Sequence, residues 1–469
     1  MAARLEGFAE PGGICISGKV YEEVKNKLPT AFEDLGEQEV KNIAEPVRVY
    51  RACLDGEPAA TVNQAIGEAP PFDLPNKPSI AVLAFNNMSA DAEQEFFADG
   101  IAEDIITALS KVSNMRVIAR NSTFACKGQS PDLRKVANNL GVRYVLEGSI
   151  RIGGNRIRIS AQLIDATDGS HVWADRYDRV LDDIFDIQDQ ITKEIVTALR
   201  VQLTDGEEAL IWARGTNNVE AWQCCVPATE LFLRFDSADY LEARALAEKA
   251  IALDPKYAHA HAVLGFTYWW EGRLGYKGNS EEKFQRAFEL SERARELDEN
   301  VSWAIGLRSM VLCSQGKYDE AILNARQGVA SHPGNSYVRA YLGFALVLAG
   351  RFDDAIKHTN AALALNPHHP TWYLGGLARA FMGLGRIDEA LELANRIIAN
   401  DRHYFQGFLL KAVLLVRLDR LTEAKAAALE VMQAVPEFRT RYLKCFLVAP
   451  DEATVTPIAE ALQQAGIPK

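Results

Sequence analysis

The hexapeptides GKYDEA at 316–321, GRFDDA at 350–355, GRIDEA at 385–390 and DRLTEA at 419–424 are four versions of one pattern. Their final alanines recur at intervals of 34, 35 and 34 residues, and a nearly constant interval of this length indicates stacked structural repeats. Glycine can end a helix in the left-handed conformation, and acidic residues suit the first turn of the helix that follows. The closing alanine lets two helices approach closely. The pattern therefore predicts pairs of antiparallel helices.

Prolines lie twelve residues beyond three of the four alanines, at Pro333, Pro367 and Pro436, where they end the second helix. With this spacing, the segment resembles the tetratricopeptide repeat family. Two irregular copies upstream extend the array to about six repeats over residues 218–438, within a repeat domain set at 206–440. A helix within 441–469 is expected to cap the open end.

A proline-rich linker is expected at residues 54–77, and the sequence after it predicts one mixed α/β domain at 78–205. The stretches PSIAVLAFNNMSADAEQEFFADGIAEDI, LGVRYVLEGSIR and AQLIDATDGSHVWADRYDR resemble the TolB-amino-terminal-like (FlgO-like) domain of bacterial signalling proteins. The elements expected are strands at 79–85 and 116–119, helices at 95–109, 132–140 and 183–203, and a hairpin of 143–151 with 156–165. The fold class is thus a mixed-sheet module followed by an all-α solenoid.

Residues 1–53 contain AARLEGFAEPGGICIS and FEDLGEQEVKNIAEPVRVYR, which resemble the C-terminal end of a class III adenylate/guanylate cyclase domain. Strands are expected at 14–16, 32–35 and 47–50, with a helix at 19–27. The resemblance implies that Arg4 matches the arginine that stabilises charge in the transition state, whereas its partner asparagine would precede Met1. The metal-binding aspartates of the family would also lie upstream. We therefore expect no catalytic or cofactor-binding residue here, although a full-length cyclase would need Mg²⁺ or Mn²⁺.

The repeats offer the best candidate binding surface. With repeat starts at 302, 336, 371 and 405, the second position holds Trp303, Tyr337 and Trp372, then a glutamine. In the family this position faces the concave groove, so the aromatic side chains would form an apolar ladder for a protein or peptide partner. Arg379 and Arg417 would bind a carboxylate there. The alternative is that the aromatic rings only pack between neighbouring repeats.

Other candidate sites have weaker support. The pairs His259/His261 and His368/His369 lack the spacing of metal ligands and are expected to be solvated. Asp165, Asp168 and Gly169 lack the twelve-residue calcium-loop pattern, so a turn is expected. The aromatic and charged residues at 173–177 are expected to pack at a strand end rather than bind a ligand.

Charge and cysteine content restrict the function classes. Lys and Arg number 51 against 63 Asp and Glu, and the net charge of -12 argues against a general nucleic-acid-binding surface. No apolar run approaches the roughly 20 residues of a membrane span, and the N-terminus is unlike a signal peptide. The seven cysteines are odd in number and scattered, which favours reduced thiols and a cytoplasmic protein.

Three hypotheses follow. The first is a non-catalytic interaction and regulatory module of a cyclase-type signalling protein, which binds a partner through its repeats. The second is a truncated reading of a complete adenylate/guanylate cyclase, whose substrate, ATP or GTP, stays open. The third is an α/β module that binds a small ligand and thereby regulates the repeats. Homodimerisation stays open because class III cyclases build their active sites at dimer interfaces.

Overall fold

A computed structural model of the chain gives two compact units, Met1–Leu74 and Pro75–Lys469. The structure describes residues 14–17, 20, 31–38, 47–53, 77–89, 91, 94–125, 127, 132–201, 203–204, 207, 210–211, 215–234, 239–275, 278–449 and 452–469. Among these residues, no helix combines the length and apolar character needed to cross a bilayer. Arg4, the helix expected at 19–27 except Val20, and the linker up to residue 76 lie outside the described residues.

The first unit contains a three-stranded antiparallel sheet. Its strands are β1 (Ile14–Ser17), β2 (Ala31–Gln38) and β3 (Val47–Cys53), in the spatial order β1-β3-β2. The register pairs Ile14 with Ala52 and Phe32 with Ala52. Strands therefore occur at the three positions that the sequence predicts.

The second unit begins with a six-stranded mixed sheet. Its strands are β4 (Ser79–Val82), β5 (Asn86–Asn87), β6 (Arg116–Val117), β7 (Tyr144–Gly153), β8 (Arg156–Asp165) and β9 (Ser170–Val180). The order is β6-β4-β7-β8-β9, with β5 beside β7. Strand β4 runs parallel to β6 and β7, whereas β7, β8 and β9 are antiparallel.

Four helices belong to this mixed-sheet module: α1 (Glu95–Ser110), α2 (Arg120–Phe124), α3 (Leu133–Leu140) and α4 (Ile184–Ala198). Helix α3 has the expected boundaries, since the Asp132 side chain accepts from the Arg134 amide and Gly141 ends the helix at φ +63°. Helix α4 is shorter than expected. Strand β9 was not predicted as a strand, because nearly all of its side chains are exposed and no apolar alternation marks it.

Helices fill the rest of the second unit. They are α5 (Val219–Leu233), α6 (Asp239–Leu253), α7 (Ala258–Arg273), α8 (Ser280–Leu297), α9 (Ser302–Ser314), α10 (Tyr318–Ser331), α11 (Ser336–Leu348), α12 (Phe352–Leu365), α13 (Trp372–Gly383), α14 (Ile387–Asn400), α15 (Phe405–Arg417), α16 (Leu421–Ala434), α17 (Leu443–Leu447) and α18 (Glu452–Gln464). Within described residues 219–434 they form six antiparallel pairs, as the repeat pattern predicts.

The hexapeptides sit where the two helices of a pair meet. Their first residues, Gly316, Gly350, Gly385 and Asp419, have φ of +73°, +71°, +76° and +58°. Their last residues, Ala321, Ala355, Ala390 and Ala424, are each 0% exposed. The first helices of successive pairs, α5, α7, α9, α11, α13 and α15, also pack on one another. These six first helices are called the inner layer below.

Two inner-layer glycines give a matched stability test. A methyl group at Gly265 would overlap the buried Leu307 side chain and lie 3.2 Å from the Leu290 Cβ, whereas one at Gly376 would meet open space. We expect Gly265→Ala to lower the free energy of unfolding by about 1–3 kcal/mol through overpacking. Gly376→Ala should raise it by about 0.5–1 kcal/mol, because alanine loses less backbone entropy. Urea unfolding of both variants measures the difference, and equal effects would contradict this packing.

The mixed-sheet module is joined to the repeats through α2. The Arg120 guanidinium lies 3.2 Å from a Glu103 oxygen on α1 and 3.5 Å from a Glu230 oxygen on α5. The Ser122 hydroxyl donates to Asn366 Oδ1 at 2.6 Å and accepts from the His368 amide at 2.8 Å. The partners within the repeats lie on α5, which holds Glu230, and on the turn between α12 and α13, which holds Asn366 and His368. The module therefore covers one edge of the repeat array.

The Arg120 ion pairs give a second prediction. Arg120→Gln leaves the Glu103 and Glu230 carboxylates without their cation. Because these ion pairs are poorly exposed to solvent, their loss should lower the free energy of unfolding by about 3 kcal/mol. Arg158→Gln is the control, since Arg158 and its partner Asp178 are 46% and 31% exposed. That variant should lose less than about 1 kcal/mol. Equal losses in chemical denaturation would show that Arg120 does not join the two parts.

Candidate functional site

The inner layer surrounds an apolar cavity of about 110 Å³. We call it the repeat cavity. Every inner-layer helix contributes to it, and nine of its 22 lining residues are aromatic. The lining residues are Phe232, Phe266, Trp269, Trp270, Arg273, Met310, Tyr341, Phe344, Trp372, Gly375, Gly376, Arg379, Met382, Ile397, Tyr404, Gln406, Leu409, Leu410, Val413, Phe446, Leu447 and Ile458. None of these residues is acidic.

The C-terminal segment closes one side of the repeat cavity. Helix α18 packs on α15, and α17 reaches back to α7. There the Arg273 Nε and Nη2 donate to the Phe446 carbonyl at 3.1 and 2.8 Å. The Phe446 ring lies 5.5 Å from that of Phe405, centroid to centroid. A segment distant in sequence therefore completes the wall.

Two arginines supply the cationic groups of this wall. Arg273 is 8% exposed, and its guanidinium lies 4.7 Å from the Trp270 ring centre. Arg379, from α13, lies 5.5 Å from the ring centre of Phe344. Burial lowers the pKa of each arginine to about 10, and the charge of Arg273 lowers that of Arg379 further. Both remain protonated at neutral pH, in surroundings that disfavour charge.

A second cavity, of about 170 Å³, lies where the module meets the repeats. We call it the junction cavity. Its polar wall includes Asp104, Lys111, His259 and His332. Burial raises the pKa of Asp104 to about 7, helped by the charge of Glu103 and opposed by donated hydrogen bonds. Those bonds come at 2.8 Å from the Trp222 indole and at 2.9 Å from the Gln188 amide. Burial also lowers the pKa of both histidines to about 4.

The three predicted ladder residues do not share one surface. Trp303 lines the junction cavity and packs 5.5 Å from the Phe266 ring, whereas Trp372 lines the repeat cavity and stacks 5.2 Å from Tyr341. Tyr337 donates its hydroxyl to the Asn121 amide oxygen of the module at 2.8 Å. Phe266 and Tyr341 stack at 5.7 Å and so link the two tryptophans within the inner layer.

The two predicted arginines are separated in the same way. Arg379 lines the repeat cavity, whereas Arg417, the last residue of α15, is exposed and not part of its lining. Arg4 lies outside the described residues. The structure thus brings Trp372 and Arg379 together at one site and leaves Trp303, Tyr337 and Arg417 elsewhere.

Most of the weaker candidates have structural contacts, whereas His368 is exposed, as expected. The expectation of solvated histidines was wrong for His259 and His261. The His259 ring lies 3.0 Å from the Thr229 hydroxyl, and the His261 ring lies 3.0 Å from the Pro255 carbonyl. Asp165 pairs with Arg143 at 2.7 Å beside the expected turn. Residues 173–177 lie within β9 rather than at its end. Among the described residues, no three His, Cys, Asp or Glu side chains are grouped as metal ligands.

Sequence reasoning missed three residues of the repeat cavity, which are Arg273, Tyr341 and Phe446. Arg273 donates to a carbonyl 173 positions away, and no local pattern signals so distant a contact. Tyr341 follows the predicted Tyr337 by one helical turn. Residues 372–382 include Arg379 but no acidic residue, and this local lack of an ion-pair partner could have indicated an arginine available to a ligand.

Asp104 gives a pH-dependent prediction. Its pKa of about 7 exceeds the value near 4 of an unfolded chain, so folding favours the protonated carboxyl. The resulting stabilisation is complete below about pH 4 and is lost as the pH rises through 7. Asp104→Asn cannot ionise, so it should be more stable than the wild type at pH 8 by at least about 1 kcal/mol, with little difference at low pH.

Urea unfolding at pH 4, 6 and 8 measures this effect. The control is Gly376→Ala, which changes no titratable group and should therefore shift stability equally at all three pH values. If the unfolding free energies of the wild type and of Asp104→Asn change with pH in parallel, the raised pKa of Asp104 is contradicted.

Comparisons with known proteins match separate parts of the chain. Residues 312–373 and 346–414 match the tetratricopeptide repeat model. Residues 76–214 match the second domain of HilA/YgeH-like transcriptional regulators. Over 321 residues, 68% of this chain, the sequence is 45% identical to "Putative adenylate cyclase 3" of Rhizobium meliloti (strain 1021). The chain covers 54% of that relative and so spans about half of its length.

Solved structures with similar parts include a thermophilic tetratricopeptide protein of Thermus thermophilus, at 18% identity and a TM-score of 0.34, covering 42% of this chain and 99% of that one. Another is PilF of Pseudomonas aeruginosa, at 17% identity and a TM-score of 0.33, covering 47% and 95% of the two chains. On the family match and the helix pairs, the second unit is a mixed-sheet module followed by tetratricopeptide repeats.

Proposed function

We propose that this chain is an interaction and regulatory segment of a nucleotide-cyclase-type signalling protein, and that a protein partner binds its repeats. Tetratricopeptide repeats and a relative named as an adenylate cyclase support this proposal. We also propose that the chain itself makes no cyclic nucleotide. The cyclase resemblance requires two metal-binding aspartates and an asparagine, and the resembling stretches of residues 1–53 contain no match to them.

The observation that carries the proposal is the joining of the module to the repeats. Arg120 contacts carboxylates from both parts, and the Gly334 amide of the repeats donates to the Ser110 carbonyl of α1 at 2.9 Å. A partner that changes the spacing of the helix pairs would therefore move the module as well. This coupling suits a segment that passes a binding event along the chain.

The edge of the repeats opposite the module is the proposed partner surface. The module covers turns that precede inner-layer helices, such as those at Gly334 and Asn366. The turns that follow inner-layer helices carry exposed apolar and cationic groups near the end of the array. Leu384 and Leu421 are 38% and 42% exposed, and Arg417 lies between them in sequence. Two exposed leucines and an exposed cation suit a partner segment that is apolar and acidic.

Photo-crosslinking in the source cells tests the partner surface. A photoreactive phenylalanine at Leu421 should give a discrete heavier adduct, and the added change Arg417→Glu should reduce its yield severalfold. The control position is Leu323, which is 60% exposed on α10, three helix pairs before Leu421 in the array. Adducts from Leu323 and Leu421 in equal yield, or none from Leu421, would contradict the proposed surface.

A catalytic assay tests the remaining half of the proposal. The purified chain with Mn²⁺ and ATP or GTP should form no cyclic nucleotide above background. Formation that scales with protein concentration would overturn the non-catalytic assignment. The alternative function, a complete adenylate cyclase of which this chain is one part, is favoured by the relative's name alone. It requires activity from a version extended upstream.

A further inference from the structure

The repeat cavity is lined by two cations, the buried Arg273 and the partly exposed Arg379, and by no anion. Among the described residues, neither Arg273 nor Arg379 forms an ion pair, and no lining residue is acidic. Arg273 uses Nε and Nη2 on the Phe446 carbonyl, so one face of its guanidinium is already satisfied. Arg379 has no hydrogen bond to the described protein and contacts only the Phe344 ring as a cation. Its donors are free for a ligand.

Like charges in apolar surroundings are costly unless an anion lies between them. The charge of Arg273 lowers the pKa of Arg379, and both line the same apolar cavity, where attraction to a bound anion is far stronger than in water. A purely structural core would be at least as stable with methionine or leucine at 379. The pair of charges therefore points to a ligand rather than to stability.

The cavity also has room beside the arginines. Gly376 is buried, yet a methyl group added there would meet no heavy atom within 4 Å, and the same holds at Gly375. Two adjacent glycines in the middle of α13 weaken the helix, and they leave open space against the cavity. A volume of about 110 Å³ is of the order that holds one benzene-sized ring.

We propose that the repeat cavity binds a small organic carboxylate with an aromatic or branched apolar body. The carboxylate accepts hydrogen bonds from the Arg379 guanidinium, in the fork geometry that suits two oxygens, with the charge of Arg273 nearby. The apolar body lies over Gly375 and Gly376, among the rings of Trp372 and Tyr341.

The wall chemistry selects against other ligands. An amino acid would bring an ammonium group next to two guanidinium groups, with no lining carboxylate to pair with it. Inorganic phosphate would fill the cationic end only and leave the aromatic part empty. A neutral ring would bury its apolar surface and leave both cations uncompensated. An apolar monocarboxylate satisfies both parts of the wall.

Calorimetric titration of the full chain with sodium benzoate tests the site. Binding should quench tryptophan fluorescence, because three tryptophans line the cavity, and should raise the melting temperature. Benzamide, the neutral analogue, should bind roughly tenfold more weakly or worse. Arg379→Gln should weaken benzoate binding about 10- to 100-fold, the range for a lost charged hydrogen bond. Arg326→Gln, on the exposed face of α10, removes the same charge elsewhere and should leave binding unchanged.

A second variant separates loss of binding from loss of folding. Gly376→Leu keeps both arginines and fills the open space, so it should abolish benzoate binding while the melting temperature without ligand stays at or above that of the wild type. The proposal is overturned if benzamide binds as well as benzoate, if Arg379→Gln binds normally, or if benzoate at about 10 mM does not bind. Tighter binding of an acetylated tripeptide ending in phenylalanine would overturn the assignment to a small ligand. None of these results bears on the protein-partner surface at Leu421.

Discussion

The ion pairs of Arg120 with Glu103 and Glu230 join the mixed-sheet module to the repeats at α2, where polar side chains of both parts meet. A cation and two carboxylates removed from bulk water are stable only when all three stay together. Their geometry fixes α2 beside the repeat turns, where Ser122 and Asn121 then reach Asn366 and Tyr337. Without the guanidinium, Glu103 and Glu230 would repel each other.

Closure of the repeat cavity depends on a different arginine. Arg273 binds the Phe446 carbonyl and so holds α17 across the inner layer, from the last helix pair back to the second. The cavity is thereby lined by segments that are distant in sequence. Phe446 and Ile458 of this segment line the same cavity as Arg379.

Local sequence patterns predicted most of the fold. The hexapeptides required left-handed glycines and buried alanines, and Gly316 and Ala321 have these properties. Strand β9 escaped prediction because Tyr177 is its one fully buried side chain, which leaves no alternation to detect. The repeat cavity was harder to predict from sequence, because its residues come from the whole inner layer and from the C-terminal segment. That segment reaches the inner layer only through tertiary packing. Trp372 and Arg379 were found through repeat positions, whereas Arg273 and Phe446 meet only in the folded chain.

Hydrogen exchange followed by mass spectrometry tests most directly whether the module and the repeats form one cooperative unit. If they do, amides of α2 and of the turn around Asn366 exchange through the same opening reaction. Their protection then falls in parallel as urea is added, at the rate set by global unfolding. Loss of protection in α2 at urea concentrations where the turn around Asn366 remains fully protected would contradict the account. The module would then open independently, and partner binding to the repeats could not reach it through this junction.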